Sequence, residues 1–286
     1  MKQLTVISGK GGTGKTTLTA AFASLTENAV FADCDVDAAD LHLILKPDIK
    51  KTQIFTGLKV AVLDNAKCIE CGKCIEHCRF GAINEFFNIK PASCEGCGVC
   101  EFICPENAIH LEDRKSGYAY NSESRFGPMA HARLWTAEEA SGKLVTLVRN
   151  NARNLAHENS KDLIIIDGPP GIGCPVIAAI SGVNLVLVVT EPTLSGISDL
   201  ERVLNVTQHF KIPAMVCVNK YDINIENTEK IEQYCEENGI QVVGRIPYDN
   251  ITTMAMIDEK SVIEYSDGKL SDIIRDIWIN VKGEIT

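Results

Sequence analysis

Two groups of residues in this 286-residue chain have the types and spacing that chemistry demands. The first is Ser8-Gly-Lys-Gly-Gly-Thr-Gly-Lys-Thr-Thr17, directly after the apolar run Leu4–Ile7, and it fits G-x-x-x-x-G-K-[ST] with Gly9, Gly14, Lys15 and Thr16. Such a backbone, through Gly9, Lys10, Gly11, Gly12, Thr13 and Gly14, curls its N–H groups around phosphate oxygens. The helix that follows adds its positive end at Thr16 and Thr17, Lys15 reaches the β- and γ-phosphates, and the Thr16 hydroxyl coordinates Mg2+. The second group is cysteine. Eight of twelve lie between Cys68 and Cys104, as Cys68-x2-Cys71-x2-Cys74-x3-Cys78 and Cys94-x2-Cys97-x2-Cys100-x3-Cys104, two copies offset by 26 residues. Cysteine at this density in a chain of this size points to metal or redox chemistry rather than disulfides.

Phosphate loops work only at the end of a strand that feeds a helix, and the rest of the chain supplies that setting. Apolar, β-branched runs recur at Leu4–Ser8, Val30–Asp33, Leu163–Asp167, Leu185–Thr190, Met215–Asn219 and Val242–Ile246, as buried parallel strands require. Between them Thr16–Leu25, Ser195–Phe210 and Thr228–Asn238 carry helical patterns, the last ending at Gly239. The alternation predicts a doubly wound, mostly parallel α/β sheet covered on both faces. The cysteine block interrupts it, with boundaries near Thr56 and Asp113, so residues 1–56 and 114–286 form a discontinuous domain around an inserted small α+β module, 57–113.

Composition narrows the partners. With 28 Lys and Arg against 38 Asp and Glu, the net charge of −10 disfavours nucleic acid. The first apolar run passes at once into the glycine loop and leaves no signal-peptide core, which predicts a cytoplasmic protein. No stretch approaches the ~18 consecutive apolar residues of a membrane span.

Lys10-Gly-Gly-Thr-Gly-Lys-Thr resembles the deviant Walker A loop of the MinD/ParA/Mrp ATPase superfamily, a P-loop NTPase fold. The resemblance implies ATP with Mg2+ as ligand and ATP-dependent homodimerisation, Lys10 reaching the partner's nucleotide. Asp33-Cys-Asp35-Val-Asp37 looks like its switch I, in which Asp35 positions the attacking water and Asp33 supports the Mg2+ shell. Leu163-Ile-Ile-Ile-Asp167-Gly-Pro-Pro-Gly resembles Walker B with switch II, delivering Asp167 to the magnesium and hinging at Gly168. Val218-Asn219-Lys220-Tyr-Asp222 looks like the base-recognition strand end; its N-K-x-D form is shared with guanine-specific GTPases, whereas the other marks favour ATP with Asn219 on adenine.

The cysteine block resembles bacterial ferredoxins with two [4Fe–4S] clusters, in which each fourth cysteine ligates the other cluster. The sets implied are Cys68, Cys71, Cys74 with Cys104, and Cys94, Cys97, Cys100 with Cys78. Zinc ribbons also pair C-x2-C, but third cysteines at this spacing and the x3 step do not suit tetrahedral sites. Arg79 stands where such modules usually have Pro. Eight acidic against four basic side chains over residues 60–112 make the block acidic, which calls for a basic docking partner. Cys174, seven residues after Asp167, has the spacing of a cluster-ligating cysteine in the nitrogenase iron protein but lacks the second cysteine of that pair.

Together these features predict an ATPase whose dimer cycle is coupled to iron–sulfur electron transfer or metal-cofactor assembly, with a redox partner or client metalloprotein. Two other functions fit parts of the pattern. A positioning ATPase would need a basic amphipathic tail, which residues 270–286 do not provide. A passive electron carrier would not need Lys15, Thr16, Asp35 and Asp167.

Overall fold

The computed structural model describes residues 1–135, 138 and 141–285. Packing divides the chain into two compact units: Met1–Gln53, Ala119–Arg133 and Ala140–Thr286 in the first, Ile54–Tyr118 and Leu134–Glu139 in the second.

The chain begins with β1 (Lys2–Ser8), α1 (Lys15–Ser24), β2 (Ala29–Asp33) and α2 (Leu41–Leu45). Two long strands, β3 (Asp48–Leu63) and β4 (Ile109–Ser124), flank the short helices α3 (Lys73–Glu76) and α4 (Val99–Ile103). Then follow β5 (Gly127–Leu134), α5 (Gly142–Glu158), β6 (Leu163–Pro170), α6 (Cys174–Ile180), β7 (Leu185–Thr190) and α7 (Leu194–His209). The remainder is β8 (Ala214–Asn219), α8 (Ile225–Glu237), β9 (Gln241–Ile246), α9 (Ile251–Ile257), α10 (Val262–Tyr265) and α11 (Lys269–Ile285).

The sheet order is β3-β4-β5-β2-β6-β1-β7-β8-β9. All six expected strands are present, and each lies in its parallel part. Three strands were not expected. β5 joins the parallel set beside β2, and the two-residue turn Arg125-Phe126 makes its neighbour β4 antiparallel to it. β3 is one of the two edge strands and is mostly exposed, so its polar, lysine-rich sequence lacks the continuous apolar signature of a buried strand.

The core of the first unit packs β1, β2, β6 and β7 against α1 and α11 through Leu4, Phe22, Phe31, Ile165, Leu187 and Trp278. Phe22 and Trp278 are in ring contact, centroids 4.7 Å apart. α11 buries Leu270, Ile274, Ile277, Trp278 and Val281 in this core, so its apolar face is spent on the fold. α8 closes as expected, with Gly239 left-handed just beyond its C-cap, Asn238. Among the described residues no helix is long and apolar enough to cross a membrane.

The second unit has its own small core: Ala61, Ala82, Ile83 and Ile109 pack around Cys74 and Cys94. Both of its short helices start after a left-handed glycine, Gly72 before α3 and Gly98 before α4, 26 residues apart as the sequence repeat requires.

Candidate functional site

In the first unit the glycine loop joins β1 to α1, and Gly14 is one of its crowded points. Its φ of 93° is left-handed, and a Cβ there would lie 2.4 Å from Nδ2 of Asn219. That amide, from the end of β8, donates to the Thr13 carbonyl at 2.8 Å, while its Oδ1 accepts from the Lys220 N–H at 3.0 Å. Asn219 therefore braces the loop through its amide nitrogen, while its amide oxygen is fixed by the next residue of its own segment. Asp222, the last residue of N-K-x-D, accepts from the Tyr248 N–H at 2.7 Å and so ties down the loop after β9.

β2 and β6 are parallel neighbours in a register that sets Asp33 beside Asp167. Both are fully buried. Asp167 accepts from the Thr16 hydroxyl at 2.6 Å and the Thr19 hydroxyl at 3.2 Å. Asp35 pairs with Lys15, Nζ to Oδ2 3.3 Å, with both side chains largely hidden from solvent. The residue after Asp167 must be small, because a Cβ on Gly168 would lie 2.9 Å from the Val6 carbonyl oxygen of the adjoining strand.

Crowding sets the electrostatics here. Burial pushes the Asp167 carboxyl up to about 6, against the pull of Lys15 and the Thr16 hydrogen bond. Burial, followed by repulsion from Asp167 and Asp35, holds Asp33 well above the carboxylate range. Asp35 is raised by burial too, with Lys15 opposing. Three buried carboxylates around one lysine leave a deficit of positive charge that a divalent cation suits. Two buried polar atoms at this site, Oδ2 of Asp33 and the Thr13 hydroxyl, have no hydrogen-bond partner among the described residues. Because Thr16 donates its proton to Asp167, its oxygen lone pairs remain for a cation. The residues thus fit a phosphate ligand with Mg2+, which Thr16, Asp33 and Asp167 would hold.

Lys10 lies over its own subunit. Its Nζ donates to Thr193 Oγ1 at 3.0 Å and Ser195 Oγ at 3.3 Å and stands 3.5 Å from Glu191 Oε2. Glu191 also pairs with Lys220. Sequence reasoning missed Glu191, Thr193, Ser195 and Thr19. Thr19 was accessible to it, since i+3 from Thr16 places it on the same helical face. The others follow β7, and only the strand order brings that segment beside β1.

Two cavities lie in the second unit. One is lined by Cys68, Cys71, Cys74 and Cys104, the other by Cys94, Cys97, Cys100 and Cys78. The folded chain thus groups the eight thiols in the crossed sets expected of two cubanes, each wall taking its fourth cysteine from the other repeat. Backbone N–H groups already point at four of the sulfurs: Glu70 at Cys68 (3.4 Å), Ala108 at Cys104 (3.2 Å), Ala82 at Cys78 (3.4 Å) and Ala61 at Cys94 (3.5 Å). Such donors stabilise the negative charge of a ligated thiolate and tune its potential. No three His, Cys, Asp or Glu converge as a single-ion site among the described residues. Cys174 is exposed at the start of α6. Cys217 and Cys235 are buried, their thiols pushed up by burial to about 12 and about 11, which keeps them protonated and inert.

Comparisons with known proteins agree with both halves. An uncharacterized protein of Methanocaldococcus jannaschii is 34% identical over 284 residues, covering 98% of this chain and 96% of its own. The pyruvate synthase subunit PorD of Methanothermobacter marburgensis is 43% identical over 53 residues, 18% of this chain and 65% of that one. Among solved structures, the septum site-determining protein MinD of Pyrococcus horikoshii, complexed with Mg-ADP, superposes with a TM-score of 0.61 at 17% identity, covering 98% of this chain and 95% of that one. Residues 4–262 match the CobQ/CobB/MinD/ParA nucleotide binding domain. With a catalytic-type phosphate loop at one strand end and a match of that length, the chain belongs to the CobQ/CobB/MinD/ParA nucleotide-binding family.

Proposed function

We propose that this protein is a Mg2+-dependent ATPase that carries two [4Fe–4S] clusters and links its nucleotide cycle to electron transfer or to assembly of a metal cofactor. The observation that carries this is the coexistence of two donor sets: eight cysteines around two cavities, and, below the glycine loop, Lys15 paired with Asp35 and Thr16 hydrogen-bonded to Asp167.

Hydrolysis needs little covalent help from the protein; positioning and charge neutralisation dominate phosphoryl transfer. Lys15 and the loop N–H groups bind the β- and γ-phosphates, and Thr16, Asp33 and Asp167 hold Mg2+, which supplies charge neutralisation when bound. Once phosphate engages Lys15, the Asp35 carboxylate is released from its present ion pair to orient water. Lys10, leaving Glu191, Thr193 and Ser195, reaches the nucleotide of a second copy, and the protein dimerises. The eight cysteines would hold two clusters that supply electron storage when bound, and the acidic surface of the module suits a basic partner that exchanges electrons with it.

The test is anaerobic preparation of the full chain, with iron, sulfide and phosphate release quantified. The expected outcome is a brown protein with about eight iron and eight sulfide per chain, as two cubanes require, together with Mg2+-dependent ATP turnover. Stoichiometric zinc without visible absorbance would end the cluster reading, and absence of ATP binding would end the ATPase reading.

A further inference from the structure

The N-K-x-D segment after β8 has the form of a guanine reader, yet in this fold each of its three marked side chains is engaged by the protein itself. Asn219 donates to the Thr13 carbonyl at 2.8 Å. Lys220 reaches back to Glu191 and to the Gly12 carbonyl, the latter at 3.4 Å. Asp222 lies in a short 3-10 turn, Tyr221–Ile223, and its Oδ1 accepts from the Tyr248 N–H at 2.7 Å. Tyr248 follows the end of β9, where Ile246 stands in register with Asn219 of β8. The next residue, Asp249, accepts from the Ile251 N–H at 2.9 Å and so starts α9, and Met256 of that helix returns to the Thr17 hydroxyl of α1, sulfur to oxygen 3.8 Å. The loop after β9 is thus fixed at one end by Asp222 and at the other through α9 to the helix of the phosphate loop.

These contacts divide the work of reading a base. An amide nitrogen carries two hydrogens, and Asn219 spends one on Thr13. The other suits a purine N7, which is an acceptor in adenine and guanine alike, so Asn219 accepts either base. The choice falls to Asp222. Guanine presents N1–H and a 2-amino group side by side, and a carboxylate grips that pair by turning both oxygens to it. Here Oδ1 is turned to a backbone amide instead. Guanine would bring two donors to one remaining oxygen, and a donor shut away without an acceptor weakens binding more than a made bond strengthens it. Adenine has a lone pair at N1 and no 2-amino group, so it makes no such demand.

Resting on the ATPase reading above, we propose that Asp222 sets the base preference by holding Tyr248. It is a positioning residue: it shapes the loop after β9 for adenine and withholds its carboxylate from guanine.

Equilibrium dialysis of the anaerobic full chain against Mg2+ with non-hydrolysable analogues of ATP, GTP and xanthosine triphosphate tests this. The wild type favours the ATP analogue over the GTP analogue by about tenfold or more, the scale of one unmet donor. Asp222→Ala unties Tyr248 and offers guanine nothing, so it weakens the ATP analogue by roughly three- to tenfold, the scale of one hydrogen bond, with no gain for the GTP analogue. Asp222→Asn keeps an oxygen for the Tyr248 N–H and restores the ATP analogue's affinity. Tyr248→Pro removes that N–H and frees both carboxylate oxygens, so the ratio of ATP- to GTP-analogue affinity falls by about tenfold; should this variant fail to fold, the two changes at the exposed Asp222 decide. If Asp222 reads the base directly, Asp222→Asn donates to the 2-carbonyl of xanthine and gains affinity for the xanthosine analogue, which overturns the proposal. An ATP preference untouched by Asp222→Ala and Tyr248→Pro also overturns it and leaves the ATPase reading standing. A wild type that favours the GTP analogue overturns it together with the choice of ATP, leaving the phosphate site intact. A wild type that retains none of the three analogues overturns the nucleotide reading itself.

Discussion

In the proposed cycle Asp35 and Lys10 each leave a contact that they hold here. Asp35 is paired with Lys15 at 3.3 Å, and on that reading its carboxylate turns to water when phosphate takes over the lysine. Asp35→Ala is expected to keep ATP binding and to lower phosphate release by about 100-fold or more, the scale of a lost positioned acid–base group. Turnover near wild type would remove Asp35 from the reaction. Lys10, held by Glu191, Thr193 and Ser195, is expected to act later. Lys10→Ala should therefore leave the analogue's affinity nearly unchanged and weaken analogue-induced dimerisation, read as mass by light scattering. An unchanged monomer–dimer balance would assign Lys10 to its own subunit alone. The glycine loop and the eight cysteines were legible in sequence because local spacing decides their chemistry. Asn219 was not fully legible: its amide braces the Thr13 carbonyl, a contact across 206 residues that no local pattern encodes.

At the scale of elements, the hairpin of β4 and β5 holds a buried histidine. His131, 9% exposed, shares a 2.9 Å hydrogen bond with Ser122, and burial lowers its pKa from 6.5 to about 4. The folded state therefore binds fewer protons than the unfolded chain between these values, so stability rises with pH across this window and is lost as pH falls from about 6.5 towards 4. The whole gap amounts to about 3 kcal/mol at 1.36 kcal/mol per pKa unit. Denaturant midpoints followed over pH 4 to 7 should show this fall, and His131→Gln should flatten it; equal slopes in both proteins would relocate the acid sensitivity elsewhere. The hairpin itself was invisible in sequence for a related reason. β4 holds only the short run Gly117-Tyr118-Ala119-Tyr120 between polar stretches, and the chain passes from one unit to the other within it, so neither the continuous apolar run of a parallel strand nor a clean domain boundary marks it. The six inner strands, apolar throughout, carried their own signature.

For the whole molecule, linkage fixes what any coupling must look like. If an ATP analogue favours one oxidation state of the clusters, that state binds the analogue more tightly by the same factor, and a typical 1–3 kcal/mol is about 5–150-fold. For a one-electron couple this is a shift of tens of millivolts or more. Electron paramagnetic resonance titrations without nucleotide, with ADP and with the analogue are expected to give midpoints separated on that scale. Coincident midpoints, with analogue affinity indifferent to oxidation, would leave the clusters as tethered carriers. The strand order has a further consequence for how the chain is made. β1 has β6 and β7 as neighbours, and β2 has β5 and β6, so neither can pair until residue 127 or later has been synthesised. The cysteine repeats, complete by Cys104, emerge from the ribosome before either strand has a partner. At 5–20 residues per second, a typical rate of synthesis, that interval is seconds long. On the proposed reading, the cysteine module is thus made before the nucleotide site exists, and its clusters would be loaded first.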